Sequence, residues 1–279
     1  MDNPIVARYD ADAADYARYW APVLEATARR LLDYVEVFVA RREGRVRVLE
    51  VGSGTGALLL ASVARWPHAQ FVATDAAQGM LEHARSRFDA ERPGQKQVTF
   101  VHGAADSIAL PDASIDLVIS TFVLQLVPDR PAALAEAQRL LKPGGMVSYL
   151  TWLDRDSSQR FKPAEEFDEA VYDLEIEEPD GPEEVRAGDV RSARAAAAEL
   201  RRAGFERASA SEDELTYHWT RQAYLDYKLD YDERFLMNNL SRAQRARLEK
   251  NARARLAQLA PRDFKWHAPV VFARGRKPA

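Results

Sequence analysis

The stretch VLEVGSGTG, Val48 to Gly56, holds the residues with the clearest chemistry. Gly52, Gly54 and Gly56 alternate after an apolar run that contains one acid, Glu50. A strand, a glycine loop and then a helix bring backbone N–H groups and the positive end of a helix to a ligand. A phosphate-binding loop needs Lys-Ser/Thr after its last glycine. Here Ala57 and Leu58 follow, and that reading fails. Gly52, Gly54 and Ala57 do satisfy G-x-G-x-x-A, and Asp75 stands at about the distance of a ribose-binding acid. The loop alone therefore leaves a dinucleotide open. Glu50 weighs against it, because a carboxylate at the strand end repels a pyrophosphate and suits a cationic ligand.

The rest of the chain alternates strand-like and helix-like segments. ARRLLDYVEVFVARR is expected to lie in a helix over 12–40, with Leu31, Leu32, Val35 and Val39 at helical spacing. EGRVRVLEV, FVATD, KQVTFVHG, IDLVISTFVLQLV and MVSYLTW read as five strands, the fourth running into a helix. GMLEHARSRF is a helix with Met80, Leu81, Ala84 and Phe88 on one side, and AALAEAQRLLKPGG is a helix that stops at Pro143. Helices follow at 190–205, 220–238 and 241–260, with a sixth strand in ERASASEDELTYHW and a last one in HAPVVFARGRK. Such alternation predicts an α/β, doubly wound, mainly parallel sheet. The expected organisation is an N-terminal helical cap over 1–40, a cofactor-binding half over 41–154, an acidic inserted lid over 155–187, and a C-terminal part of the core with pocket-covering helices over 188–279.

Composition narrows the partners. The 279 residues carry a net charge of −4, so nothing in the total favours nucleic acid. The absence of cysteine excludes disulfides, thiolate nucleophiles and cysteine-ligated metals, and fits a cytoplasmic location. No metal site is expected. The N-terminus is polar and mixed in charge, unlike a signal peptide, and no apolar run approaches the ~20 residues of a membrane span.

Four motifs in order, VLEVGSGTG, ATDAAQGMLEHAR, GAADSIALPDASIDLVIST and LKPGG, cover roughly residues 45–150. They resemble the class I S-adenosylmethionine-dependent methyltransferases, in particular the small-molecule group with the ubiquinone/menaquinone C-methyltransferases. S-adenosylmethionine carries an ammonium and a sulfonium and no phosphate, which agrees with Glu50. The resemblance implies a Rossmann-like sheet of seven strands, the last antiparallel, with helical cap elements. It implies methyl transfer to a small-molecule acceptor, in line with the departing sulfur. By the same resemblance Glu50, Gly52, Ser53, Gly54 and Gly56 hold the methionine end and Asp75 the ribose. Ala76 and Met80 flank the adenine, Ala104 and Ala105 lie at its edge, Ser120 and Thr121 lie under the amino acid end, and Tyr16 reaches the carboxylate. The family commonly has Asp or Asn where Ala104 stands, and Asp106 is the candidate replacement. A histidine often found in the VLQLVPD segment is replaced by Gln125 and Leu126, so no general base carries over.

Several residues have a plainer reading beside the chemical one. His68 and His83 read as surface residues, His102 and His267 as packing residues, and Asp116 as a turn residue. His218, in TYHWT, is the candidate base. Trp20 and Trp152, with Trp219, Tyr224 and Tyr227, are candidates for an aromatic acceptor wall, against ordinary packing. The stretch 164–184 holds eleven acids in twenty-one residues and as a lid would discourage anionic acceptors. The basic helix with Leu248, Ala252, Leu256 and Leu259 is expected to pack on the domain with its basic face outward. Two other chemistries share the glycine loop: a nicotinamide-dependent oxidoreductase, and a protein that binds S-adenosylmethionine for a different reaction or for none.

Overall fold

The computed structural model describes residues 3–154, 161–176 and 185–279. Its centre is a seven-stranded sheet: β1 (Arg47–Val51), β2 (Gln70–Asp75), β3 (Val98–His102), β4 (Ile115–Thr121), β5 (Leu141–Trp152), β6 (Glu206–His218) and β7 (Lys265–Arg276). The order across the sheet is β3-β2-β1-β4-β5-β7-β6. The first five strands pair in parallel, and β7 runs antiparallel to both β5 and β6. This is the expected α/β sheet with its antiparallel last strand.

The central strands are continuous apolar runs because both faces are covered. Side chains alternate across each strand, so Val48, Leu117 and Ile119 join Leu31, Leu58 and Leu59 in one core layer. Leu49, Val51 and Val118 join Leu134, Ala137 and Leu200 in the other. Period two also decides where Glu50 goes: it shares the Val48 face, toward the Ala21–Ala40 helix.

Four expectations shift. The N-terminal helical segment begins at Pro4, not at residue 12, with Asn3 capping it through a 3.0 Å bond from the Ile5 N–H. Proline at the first helical position costs no hydrogen bond there. A π-helical turn, Tyr16–Trp20, then interrupts it before the Ala21–Ala40 helix. After β4 the chain makes a turn through residues 122–129 where a helix was expected, and helix starts only at Arg130, capped by Asp129. The LKPGG segment belongs to the start of β5, bulged where β5 meets β4. The 220–238 helix is broken into Arg221–Tyr227, a π-helical turn Lys228–Asp232 and Arg234–Asn239.

The helix Lys162–Tyr172 and the basic helix Arg242–Ala257 pack on each other. Arg255 bonds Asp173 at 2.9 Å and Glu166 at 3.2 Å, and Arg247 donates to the Asp173 carbonyl at 2.6 Å. Part of the basic face is therefore turned to the acidic segment and not outward. Residues 155–160 and 177–184 of the expected lid lie outside the described residues.

Candidate active site

The glycine loop leaves β1 at its carboxyl end, where a parallel sheet opens its crevice. Gly52 adopts φ +70°, and a Cβ there would stand 2.2 Å from a methyl of Val123. Gly56, at φ +82°, caps the Ala57–Arg65 helix. Its missing Cβ lets the Gln78–Glu91 helix approach, with Ala84 Cα 3.2 Å from where a Cβ would lie. Only glycine meets both demands at no steric cost.

Three adjoining cavities open over this loop. The first, about 150 Å³, is lined by Gly52, Gly54, Asp75, Ala76 and Met80, by Ala104, Ala105 and Asp106, and by Thr121. The second is small, about 50 Å³, and reaches down to Glu50 and Ser53 under the Ala21–Ala40 helix. The third is about 250 Å³ and lies between the N-terminal segment and the turn after β4, with Trp20 and Trp152 in its wall. Tyr16 and Phe122 line all three.

Electrostatics in the second cavity are unbalanced. Glu50 is 3% exposed, and its Oε2 and the Ser53 hydroxyl have no hydrogen-bond partner. Burial pushes the Glu50 carboxyl well above its ordinary range, and nearby Asp75 pushes it further. Burial also raises Asp75, opposed by backbone donors. The Asp75 carboxylate accepts the Gly54 N–H at 2.8 Å and the Ala77 N–H at 2.9 Å, which braces the loop against the start of the next helix. His102 bonds the Ala76 carbonyl at 2.9 Å, a packing role.

The N-terminal segment roofs the cavities and is pinned on two sides. Asp10 accepts the Gly79 N–H at 2.5 Å. Asp12 and Asp15 both pair with Arg234, and the Tyr19 hydroxyl donates to Asp230 at 2.7 Å.

Five candidates from the sequence do not line these cavities. Ser120 is buried and its hydroxyl donates to the Val51 carbonyl at 2.9 Å, a bond across the sheet. Gly56 acts through the helix it caps. Trp219 and Tyr224 are core residues, packed on each other 5.6 Å apart and turned inward by the helix that begins at Arg221. His218 is exposed at the end of β6, paired with Lys265, and offers no base to the cavities. Sequence reasoning passed over Phe122, Tyr231, Arg8 and Arg186 and left Gln125 outside the candidate site, whereas Tyr227, a wall candidate, does line the third cavity. Phe122 stands at φ +56°, a strained conformation for a non-glycine residue. Its N–H donates to the Leu150 carbonyl at 2.8 Å, and the Gln125 amide donates to its carbonyl at 2.7 Å. No sequence signal marks that strain. The aromatic run WTRQAYLDYKLDY did signal a wall, but not which side chains face it.

A family model described as methyltransferase domain matches residues 48–145. A malonyl-[acyl-carrier protein] O-methyltransferase of Xylella fastidiosa is 36% identical over 119 residues, 43% of this chain and 38% of that protein. The match thus spans well under half of that relative. Among solved structures, the YcgJ protein of Bacillus subtilis superposes with a TM-score of 0.56 at 19% identity, over 88% of this chain and 97% of that one. A phosphoethanolamine N-methyltransferase of Haemonchus contortus does so with 0.54 at 18%, over 90% and 53%. Residues 48–145 therefore match a methyltransferase domain, and the chain shares its fold with these solved structures.

Proposed function

We propose that the protein binds S-adenosylmethionine in the first two cavities and transfers its methyl group to a small acceptor in the third. One observation carries the reading: the buried Glu50 Oε2 without a partner, beside a second carboxylate. An uncompensated buried charge is costly. A pyrophosphate would worsen it, whereas a ligand ammonium would relieve it. The other residues fit the same ligand: Asp75 has lone pairs left for ribose hydroxyls, and Met80 and Ala76 form an apolar slot for adenine. Ala105 and Asp106 stand at the adenine edge, and Tyr16 closes over Gly54 with its ring 3.8 Å from the vacant Cβ position.

When bound, this cofactor supplies an electrophilic methyl carbon on a cationic sulfur. The chain contributes position and dryness. Tyr16 and Phe122 line every cavity, so the junction they form is where acceptor and methyl carbon meet. Neither acid in the third cavity is an available base. Asp12 pairs with Arg234, and Asp232 accepts from the Tyr227 hydroxyl at 2.8 Å and from Lys228 at 2.6 Å. An acceptor that is already nucleophilic suits this site best.

Relatives named for a malonyl-carrier-protein acceptor are matched over part of their length, and Arg186, Tyr227 and Tyr231 lie outside the 48–145 match. The acceptor is therefore read from this cavity and not transferred from them. Among the described residues no helix is long and apolar enough to cross a membrane. The cysteine-free composition supports a cytoplasmic location. Titration calorimetry with S-adenosylmethionine, S-adenosylhomocysteine and NAD in parallel tests the reading. Micromolar binding of the first two is expected, and binding of NAD alone would overturn it.

A further inference from the structure

We propose that the third cavity takes a planar aromatic acceptor with an anionic substituent, and that Arg186 at its mouth holds that anion away from the transferring methyl group. The proposal rests on the cofactor reading above. Half of the fourteen residues lining the cavity are aromatic. Trp20 and Tyr227 stack at 5.3 Å and 18°, and Phe122 lies 4.5 Å from Trp152, so the walls present flat apolar faces. An engineered apolar cavity of about 150 Å³ takes benzene. At about 250 Å³ this one takes a substituted ring.

Charge selects the substituent. Four charged residues line the cavity: Arg8, Asp12, Arg186 and Asp232. Both acids are matched, Asp12 by Arg234 and Asp232 by Lys228, so neither is left for a ligand ammonium. The floor amide, Gln125, is also engaged: it donates to the Phe122 carbonyl at 2.7 Å and accepts from Thr151 at 2.7 Å. Arg186 forms no salt bridge with a described residue, and Asp189, whose carboxyl burial raises and the Arg186 charge lowers, does not line the cavity. Its backbone is pinned all the same. The Ala187 N–H donates to the Val127 carbonyl at 2.7 Å, the Gly188 N–H to the Gln125 carbonyl at 3.0 Å, and Arg130 donates to the Gly188 carbonyl. A guanidinium carried on a pinned backbone beside an aromatic slot recognises an anion on a ring.

Position separates the anion from the chemistry. Arg186 lines the third cavity and neither cofactor cavity, whereas Tyr16 and Phe122 line all of them. The anionic group therefore serves as a handle, and the methylated atom lies at the other end of the ring.

Three probes of equal chain length test this: 3-phenylpropanoate, its amide, and 3-phenylpropylamine. Each is titrated with and without saturating S-adenosylhomocysteine, following the intrinsic tryptophan fluorescence, to which Trp20 and Trp152 in the cavity wall contribute. The carboxylate should bind about fivefold to tenfold more tightly than the amide, as a partly screened charge pair supports, and the amine should bind most weakly. Arg186→Gln should bring the carboxylate down to the level of the amide. Equal or tighter binding of the amine, a carboxylate-to-amide ratio that survives Arg186→Gln, or no response to any probe would overturn the proposal. Cofactor binding, read separately by calorimetry, identifies a failure of the cofactor reading instead.

Discussion

Replacing Glu50 by Gln perturbs one atom pair and moves two observables in opposite directions. In the protein alone, the carboxylate is buried with one oxygen unpartnered and Asp75 nearby. Glutamine keeps the size and removes the charge. Relief of the buried charge at neutral pH is worth about 1–3 kcal/mol, which raises Tm by about 2–4 °C per kcal/mol in a chain of this size. The pH dependence follows from the raised Glu50 carboxyl. The folded state holds the proton more tightly than the unfolded state, whose value is near 4.5. Wild-type stability from this group is complete below that value and is lost as pH rises through the folded one. The Tm gap between Glu50→Gln and wild type should thus be close to zero near pH 4.5 and open toward neutrality. With ligand the order reverses. Loss of a charge-assisted bond to the ligand ammonium costs about 1.5–3 kcal/mol, roughly a 10- to 150-fold rise in Kd for S-adenosylhomocysteine. Thermal melts across pH and calorimetry at neutral pH read both. A variant with lower Tm at neutral pH, or with wild-type affinity, would refute the argument that this carboxylate is held unsatisfied for a cation.

Three further outcomes are expected. Asp75→Ala should weaken S-adenosylhomocysteine binding by about 1–3 kcal/mol in calorimetry, because it strands the ribose hydroxyls and frees the Gly54 and Ala77 N–H groups. Gly52→Ala should cost about 1–3 kcal/mol in urea melts from the clash with Val123, plus a penalty for φ +70°. The double variant with Val123→Ala should recover the clash and keep the backbone penalty; full recovery would mean that φ is not the constraint. Gly79→Ala puts a Cβ 2.5 Å from the Asp10 carbonyl oxygen, so limited proteolysis within 4–11 should accelerate while the global unfolding midpoint moves little. Equal cleavage rates would show that the roof does not depend on this close approach.

Much of the fold was legible because its signals are local. Strand β1, the glycine loop and the helix after it are written in nineteen consecutive residues, Arg47 to Arg65, and the φ values that need glycine are properties of single positions. The order of strands and helices imposed the parallel sheet, and with it the place of Asp75 at the carboxyl end of β2. What resisted reading was direction. Trp219 and Tyr224 lie in the same aromatic run as Tyr227 and Tyr231, yet the first two pack inward and the last two face the cavity. The rotation of a helix against its neighbours decides that, and the π-helical turn at Lys228–Asp232 shifts it within the run.

The sequence by itself determined the sheet, the cofactor loop and the acid at Glu50, since these follow from periodicity and from backbone needs within one segment. Tertiary structure alone decided that Glu50 would be buried without a partner, that Phe122 would be held at φ +56°, and that Arg186 would meet Trp20 and Tyr231 around one cavity. Those residues are far apart in the chain, and only the packing of the N-terminal segment and the C-terminal helices over the sheet brings their side chains together.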